Sequence, residues 1–298
     1  MTALHDGFGR RIDYLRISLT DRCNLRCRYC MPTHGLTFEP DDALLSAAEI
    51  ETVVTAAARS GFRKVRLTGG EPTLRRDVVD VVARVAAVPG ITDVSMTTNG
   101  IRLPQLAAPL PTARPPLTAV SEGGRGGGGR GGGGGPPPPR PHRGMGGPGH
   151  PPGGVGQLAP PPKAAGLRRV NLHVDSLDPA RLADLMRWGR ADELWAGVAA
   201  AEDAGLVPIK LNCVVARGYH EDDVVALAAL TIERDWTVRF IELMPLGVGA
   251  EAQFSIDRYV PNDAVAARIT AALGPLTPEP NADAADESRN FRLPGARG

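Results

Sequence analysis

Apolar and β-branched residues alternate with polar ones in six short runs of this chain, and the pattern predicts six strands. They are "YLRISL" (14–19), "KVRLT" (64–68), "DVSMTT" (93–98), "RVNLHV" (169–174), "PIKLNCVV" (208–215) and "VRFIEL" (238–243). Between them, Ala-rich stretches carry apolar residues at helical spacing over 47–59, about 77–88, 191–204 and 222–229. The first helix is preceded by Ser46 with Glu49 three residues on, the spacing of a capping box, and Gly61 follows its end. Strand and helix alternating in this way predict a parallel α/β sheet, either doubly wound or curled into a barrel.

One segment breaks the rhythm. Residues 111–162 hold 18 of the chain's 36 glycines and 14 of its 28 prolines, too little apolar surface to offset the entropy of ordering. A disordered insertion over 111–162 is expected, separating a first folded part, 1–110, from a second, 163–298. Arg125, Arg130, Arg140 and Arg143 lie among its glycines, the pattern of an Arg-Gly arm for nucleic acid. No aromatic residue interleaves them, so nucleic acid is not an expected partner.

Bulk properties narrow the classes further. A formal charge of +1 over 298 residues creates no global field for a polyanion, so any phosphate site must be local. No apolar run approaches the ~20 residues that span a bilayer, and the first residues lack the apolar core of a secretory signal. A cytoplasmic protein without membrane association is expected. Four cysteines are too few for a disulfide framework in a chain this long, and three of them crowd into "CNLRCRYC".

Cys23, Cys27 and Cys30, spaced C-x3-C-x2-C on the loop leaving the first strand, can face one centre. Tetrahedral zinc would need a fourth ligand, for which His34 and the distant Cys213 are the candidates. A cubane iron-sulfur cluster can be held by three thiolates, leaving one iron open. Zinc knuckles favour two C-x2-C pairs and only one short pair is present, which puts the cluster ahead. Downstream, "VRLTGGEP" ends a strand in Gly69-Gly70-Glu71-Pro72, where bare backbone can approach a ligand and a carboxylate can accept from an ammonium.

Cysteine motif and "GGEP" together resemble the radical S-adenosylmethionine (SAM) superfamily. With "SMTTNGIRLPQL", "GLRRVNLHVDSLDP", "IKLNCVVARGYHEDD" and "VRFIELMPLG", nearly the whole chain outside 111–162 is similar to the GTP 3′,8-cyclase family of molybdenum cofactor biosynthesis. That resemblance implies an incomplete (β/α)6 TIM-type barrel. It implies a [4Fe-4S] cluster on Cys23, Cys27 and Cys30, SAM contacts at Tyr29, Gly70 and Met244, and GTP contacts at Arg16, Arg66, Thr97 and Lys210. Three cations on neighbouring strands would suit a triphosphate. The implied reaction is that of a radical SAM lyase: an external one-electron reductant, a 5′-deoxyadenosyl radical from SAM, hydrogen abstraction at C3′ of GTP, and closure onto C8 to give 3′,8-cyclo-7,8-dihydroguanosine 5′-triphosphate. A homodimer is also implied.

Departures from the family carry expectations of their own. His173 stands in "VNLHVD" where the family places a SAM-contacting serine, and a larger ring would obstruct that cleft unless it tilts away. The family continues past "FRLPGARG" into three further cysteines for a second cluster, and Cys213 cannot replace them. A single, SAM-binding cluster is therefore expected on this chain, with poor cyclisation of GTP or none.

Overall fold

The computed structural model describes residues 4–107, 165–245, 249–281 and 288–298. The expected insertion at 111–162, with Arg125, Arg130, Arg140 and Arg143, lies outside the described residues. Six strands form one sheet in the order in which the chain meets them: β1 (Tyr14–Ser18), β2 (Lys64–Thr68), β3 (Asp93–Thr98), β4 (Arg169–His173), β5 (Ile209–Val215) and β6 (Trp236–Glu242). Every neighbouring pair is parallel.

Strictly sequential order decides between the two sheet types left open by the periodicity. A doubly wound sheet reverses its strand order at a switch point, and no reversal occurs here. Crossovers of one hand between successive strands place all connecting helices on the same face, which is the arrangement of a barrel wall. β1 and β6 are the two edges of the sheet.

Alternation along the strands gives the sheet two different faces. Val65, Leu67, Val94, Met96, Val170, Leu172, Ile209, Leu211 and Cys213 are buried in one continuous apolar core. Against it lie α1 (Ala47–Arg59), burying Ile50 and Val54, and α2 (Val78–Ala87), burying Val78, Val81, Val82 and Val85. Then come α3 (Leu103–Ala107), α4 (Pro179–Met186), α5 (Ala191–Asp203), α6 (Val224–Glu233), α7 (Ala250–Asp257) and α8 (Asn262–Leu273). A short antiparallel pair, β7 (Thr277–Glu279) and β8 (Asn290–Arg292), follows. Most of the alternate strand positions, among them Arg16, Arg66, Ser95, Thr97, Asn171 and Lys210, are polar and face the other way. No helix among the described residues is long and apolar enough to cross a membrane.

The helix ends follow local chemistry. Ser46 accepts from the Glu49 amide at 3.3 Å, while the Glu49 carboxylate accepts from the Ser46 amide at 2.8 Å, completing the box read from the sequence. α4 was not expected, because eight residues give little periodicity. Its start is nonetheless marked by Asp178, which accepts from the amides of Ala180 and Arg181 at 2.8 and 3.0 Å, and by Pro179 in the first turn. Replacing Ser46 by Ala should lower stability by about 1 kcal/mol, read as a fall in the urea midpoint with an unchanged slope.

Candidate functional site

Two loops leave the sheet side by side and remain paired beyond the strand ends. Leu19 donates to the Thr68 carbonyl at 2.8 Å, Gly70 to that of Thr20 at 2.7 Å, and Glu71 to that of Arg22 at 2.7 Å. A β-carbon on Gly69 would lie 2.4 Å from the Thr20 carbonyl oxygen, and one on Gly70 would lie 2.3 Å from that of Arg22. Gly69 also has a φ of +137°, which L side chains avoid. The glycines are thus required by the neighbouring backbone that leads to Cys23. Because the Gly70 amide is used in this pairing, a ligand contact at Gly70 is left to its carbonyl oxygen or its bare Cα.

Glu71 differs from its expected role of facing an ammonium. It is buried, and its carboxylate accepts from the Thr73 amide at 3.0 Å, the Thr73 hydroxyl, the Thr98 hydroxyl at 2.7 Å and the Asn99 amide at 2.7 Å. It ties the exit of β2 to the end of β3. Four donors converging on one buried carboxylate serve the fold.

The far side of the cysteine loop is fastened to the end of α4. Arg26 and Arg28 donate their amides to the carbonyls of Met186 and Leu185 at 3.1 and 3.0 Å, and the Arg28 guanidinium pairs with the Asp184 carboxylate. Arg26 is buried, donating to the carbonyls of Cys23 and Leu25 at 2.7 Å each, with its guanidinium 4.2 Å from the Trp188 ring centre. It acts as an internal strut, a function invisible in a polar residue between cysteines.

All three loop cysteines are free thiols, with Cys30 exposed and the other two partly covered. Cys30 donates its amide to the Cys27 carbonyl at 2.9 Å, so these two share one turn. Burial pushes the Cys23 thiol up to about 12, and the charges of Glu71, Cys27 and Cys30 push it the same way. Cys30, exposed as a residue, is raised by the desolvation its sulfur does experience and then by Cys27. Thiols that repel each other as thiolates need a cation to ionise together, and iron supplies it. Free, mutually interacting thiols on a loop with one exposed member fit a three-thiolate cluster.

The zinc alternatives fare differently. His34 is exposed, and Cys213 faces the apolar side of β5. Among the described residues, the one group of three metal-type side chains with ligand atoms within 4.8 Å of one another is Asp175, Cys213 and His220. That group is internally hydrogen-bonded: the Cys213 thiol points to the Asp175 carbonyl at 3.5 Å and His220 Nε2 meets the Val214 carbonyl at 2.8 Å. Cys213 does not join the loop cysteines.

Tyr29 turns from the loop toward β4. Its hydroxyl donates to the Asp175 carboxylate at 2.8 Å and lies 3.2 Å from His173 Nε2, which is itself 3.0 Å from the same carboxylate. Burial works against a charged imidazole, but Asp175 and Cys27 outweigh it and hold His173 well above the usual histidine range. Burial likewise opposes ionised Asp175, and His173 outweighs it, lowering the carboxyl. His173 is clasped between Tyr29, Asp175 and Cys27.

Below the loop, the polar face of the sheet is cationic. Register sets Arg16 opposite Arg66, Arg66 opposite Ser95 and Ser95 opposite Arg169. One step nearer the strand ends, Thr97 is opposite Asn171 and Asn171 opposite Lys210; further on, His173 and Arg239 flank Asn212. Arg16, Arg66, Thr97 and Lys210 therefore share a face. Arg169 and Arg239 were missed by sequence reading, although their positions have the same parity. Arg16 and Arg66 lie 5.5 and 5.2 Å from the Tyr14 ring centre. Burial lowers Arg66, and repulsion from Arg239, Arg16 and Arg169 adds to it against the pull of Tyr14. Asp93 balances one member, Arg169, at 2.6 Å. Met244, two residues beyond β6, is 53% exposed, as a ligand-facing rather than a core methionine would be.

A profile of the Radical SAM superfamily matches residues 17–121. The chain is 40% identical to a GTP 3′,8-cyclase of Pelotomaculum thermopropionicum over 295 residues, covering 99% of this chain and 74% of that protein. It is 37% identical to the one of Moorella thermoacetica, with the same coverage, and 35% identical to one of Listeria monocytogenes, covering 100% of this chain and 73% of that protein. Among solved structures, HydG, a maturase of the [FeFe]-hydrogenase, matches with a TM-score of 0.54 at 13% identity over 87% of this chain and 49% of HydG. Methylornithine synthase (PylB) matches at 0.50 and 14% identity, over 80% of this chain and 55% of PylB. The chain thus spans about half the length of these two structures, which share its fold.

Substituting Glu71 by Ala strands several buried donors at once, and should cost about 3 kcal/mol or more, measured as a fall in the urea midpoint of the full chain.

Proposed function

This chain belongs to the GTP 3′,8-cyclase family of radical SAM proteins, and from that premise we propose that it binds GTP and SAM and converts GTP to 3′,8-cyclo-7,8-dihydroguanosine 5′-triphosphate in molybdenum cofactor biosynthesis. The observation that carries the reading is the cationic face beneath a three-cysteine loop. Arg16, Arg66, Arg169, Arg239 and Lys210 project from five strands, and among the described residues only one of these arginines, Arg169, has a carboxylate partner in an ion pair, Asp93. Clustering guanidinium groups without carboxylates is unfavourable in the free protein and becomes favourable around a triphosphate.

Cys23, Cys27 and Cys30 would hold a [4Fe-4S] cluster. When bound, that cluster supplies the electron that opens SAM to a 5′-deoxyadenosyl radical, given an external one-electron reductant. The protein's own part is placement. Tyr29, Gly70 and Met244 line the approach for SAM, Arg16, Arg66 and Lys210 hold the triphosphate, and Thr97 contacts the nucleotide between them. His173 and Asp175 fix Tyr29. The insertion at 111–162 interrupts the barrel between its third and fourth strands. Three cysteines gathered on one loop, too few for a disulfide framework, suit a reducing, cytoplasmic setting, and the family resemblance supports a homodimer.

Two measurements test this. After anaerobic reconstitution with iron and sulfide, the chain should show a broad visible absorbance that Cys27→Ala abolishes; a colourless, zinc-loaded protein would overturn the cluster. In equilibrium binding, Arg66→Ala should weaken GTP roughly tenfold to hundredfold, the worth of one charge-assisted contact, with an unchanged far-ultraviolet spectrum.

A further inference from the structure

One step beyond Arg16, Arg66 and Arg169 on the way to the strand ends, level with Lys210 and one step short of Arg239, lies a neutral side chain with no use for its polarity inside the protein. Asn171 is fully buried, and neither its amide nitrogen nor its amide oxygen has a hydrogen-bond partner among the described residues. Its neighbours Val170 and Leu172 enter the apolar core, so Asn171 faces the opposite side, between Thr97 and Lys210. One step nearer the strand ends, the Asn212 amide oxygen is also buried and unpartnered. A buried amide without a partner is costly, and such groups in native structures usually have a ligand or water to meet.

We infer that Asn171 is the anchor for the ribose hydroxyls of the bound nucleotide, an inference that rests on the GTP reading above. Position and chemistry both lead there. Along β4 the inward side chains are Arg169, Asn171 and His173, each roughly 6.6 Å beyond the last. Arg169 belongs to the cation cluster, and His173 touches Tyr29 and Cys27. The ribose joins the triphosphate to the base and carries the hydrogen that is removed, so with the phosphates on the deep cations Arg16, Arg66 and Arg169 it has to lie between them and the cysteine loop, beside Lys210 and Asn171. A hydroxyl needs an acceptor for its proton as well as a donor to its oxygen. Guanidinium and ammonium groups only donate, whereas an amide offers both. Asn212 supplies a second acceptor beside it.

Binding of GTP, 2′-deoxyGTP and 3′-deoxyGTP to the cluster-reconstituted full chain, and thermal unfolding of the nucleotide-free protein, test the assignment. Wild type should prefer GTP to at least one deoxy analogue by roughly tenfold. Asn171→Ala should lose roughly tenfold in GTP affinity and bind that analogue and GTP alike. Its nucleotide-free unfolding midpoint should not fall through any lost hydrogen bond, and Asn171→Leu, which keeps the volume, controls for the cavity. Variants that keep the wild-type preference would overturn the inference. So would an equal loss for all three nucleotides with a lowered midpoint in both variants, which is the mark of a structural role. Wild type that binds GTP without ribose preference refutes this inference alone, while wild type that does not bind GTP refutes the reading beneath it.

Discussion

Where the chain leaves β1 and β2, two backbones run too close for either Gly69 or Gly70 to carry a β-carbon, and the position of the cysteines depends on that approach. The hydrogen bonds from Gly70 to Thr20 and from Glu71 to Arg22 extend the parallel ladder to the residue before Cys23. Glu71 then passes the constraint to β3 through Thr98 and Asn99. On the other side, Arg26 and Arg28 tie the loop to the end of α4. Three thiols that would otherwise sit on an unconstrained loop are held over the mouth of the sheet at both ends.

The second constraint is charge. A barrel interior filled with aliphatic side chains would be more stable than one lined with guanidinium groups. This chain keeps its apolar residues on the helix-covered face and places Arg16, Arg66, Arg169 and Arg239 on the other, with the Tyr14 ring between two of them. Arg66 is held below its ordinary value by burial and by the other arginines, the electrostatic cost of gathering guanidinium groups on one covered face.

Much of the fold was legible because parallel strands under helices keep a simple alternation. The six strands and α1, α2 and α5 fall within about two residues of their expected bounds, while α6 starts two residues later and ends four residues later than expected. What stayed open was the sheet type, since strand order is a property of the whole chain that no local window contains. The loop cysteines and the cations on β1, β2 and β5 were legible through motif and resemblance. Arg169 and Arg239 carried a signal in their parity, but parity places a residue on a face only after the register is known. Glu71 was misread because a carboxylate after two glycines looks the same whether it faces a ligand or four donors of its own chain. Asn171 gave no signal, since an amide's lack of partners exists only in three dimensions.

The alternation of β2, β4 and β5 has a consequence for how such a protein can change over time. Residues that fill the apolar core and polar residues of the opposite face occupy alternate places on the same strands and meet different neighbours. An inward substitution can therefore redraw the chemistry of the lumen while the helices keep their footing, and a repacked core can leave the lumen untouched. Descendants of one ancestral barrel can diverge in substrate by single steps without passing through unfolded intermediates.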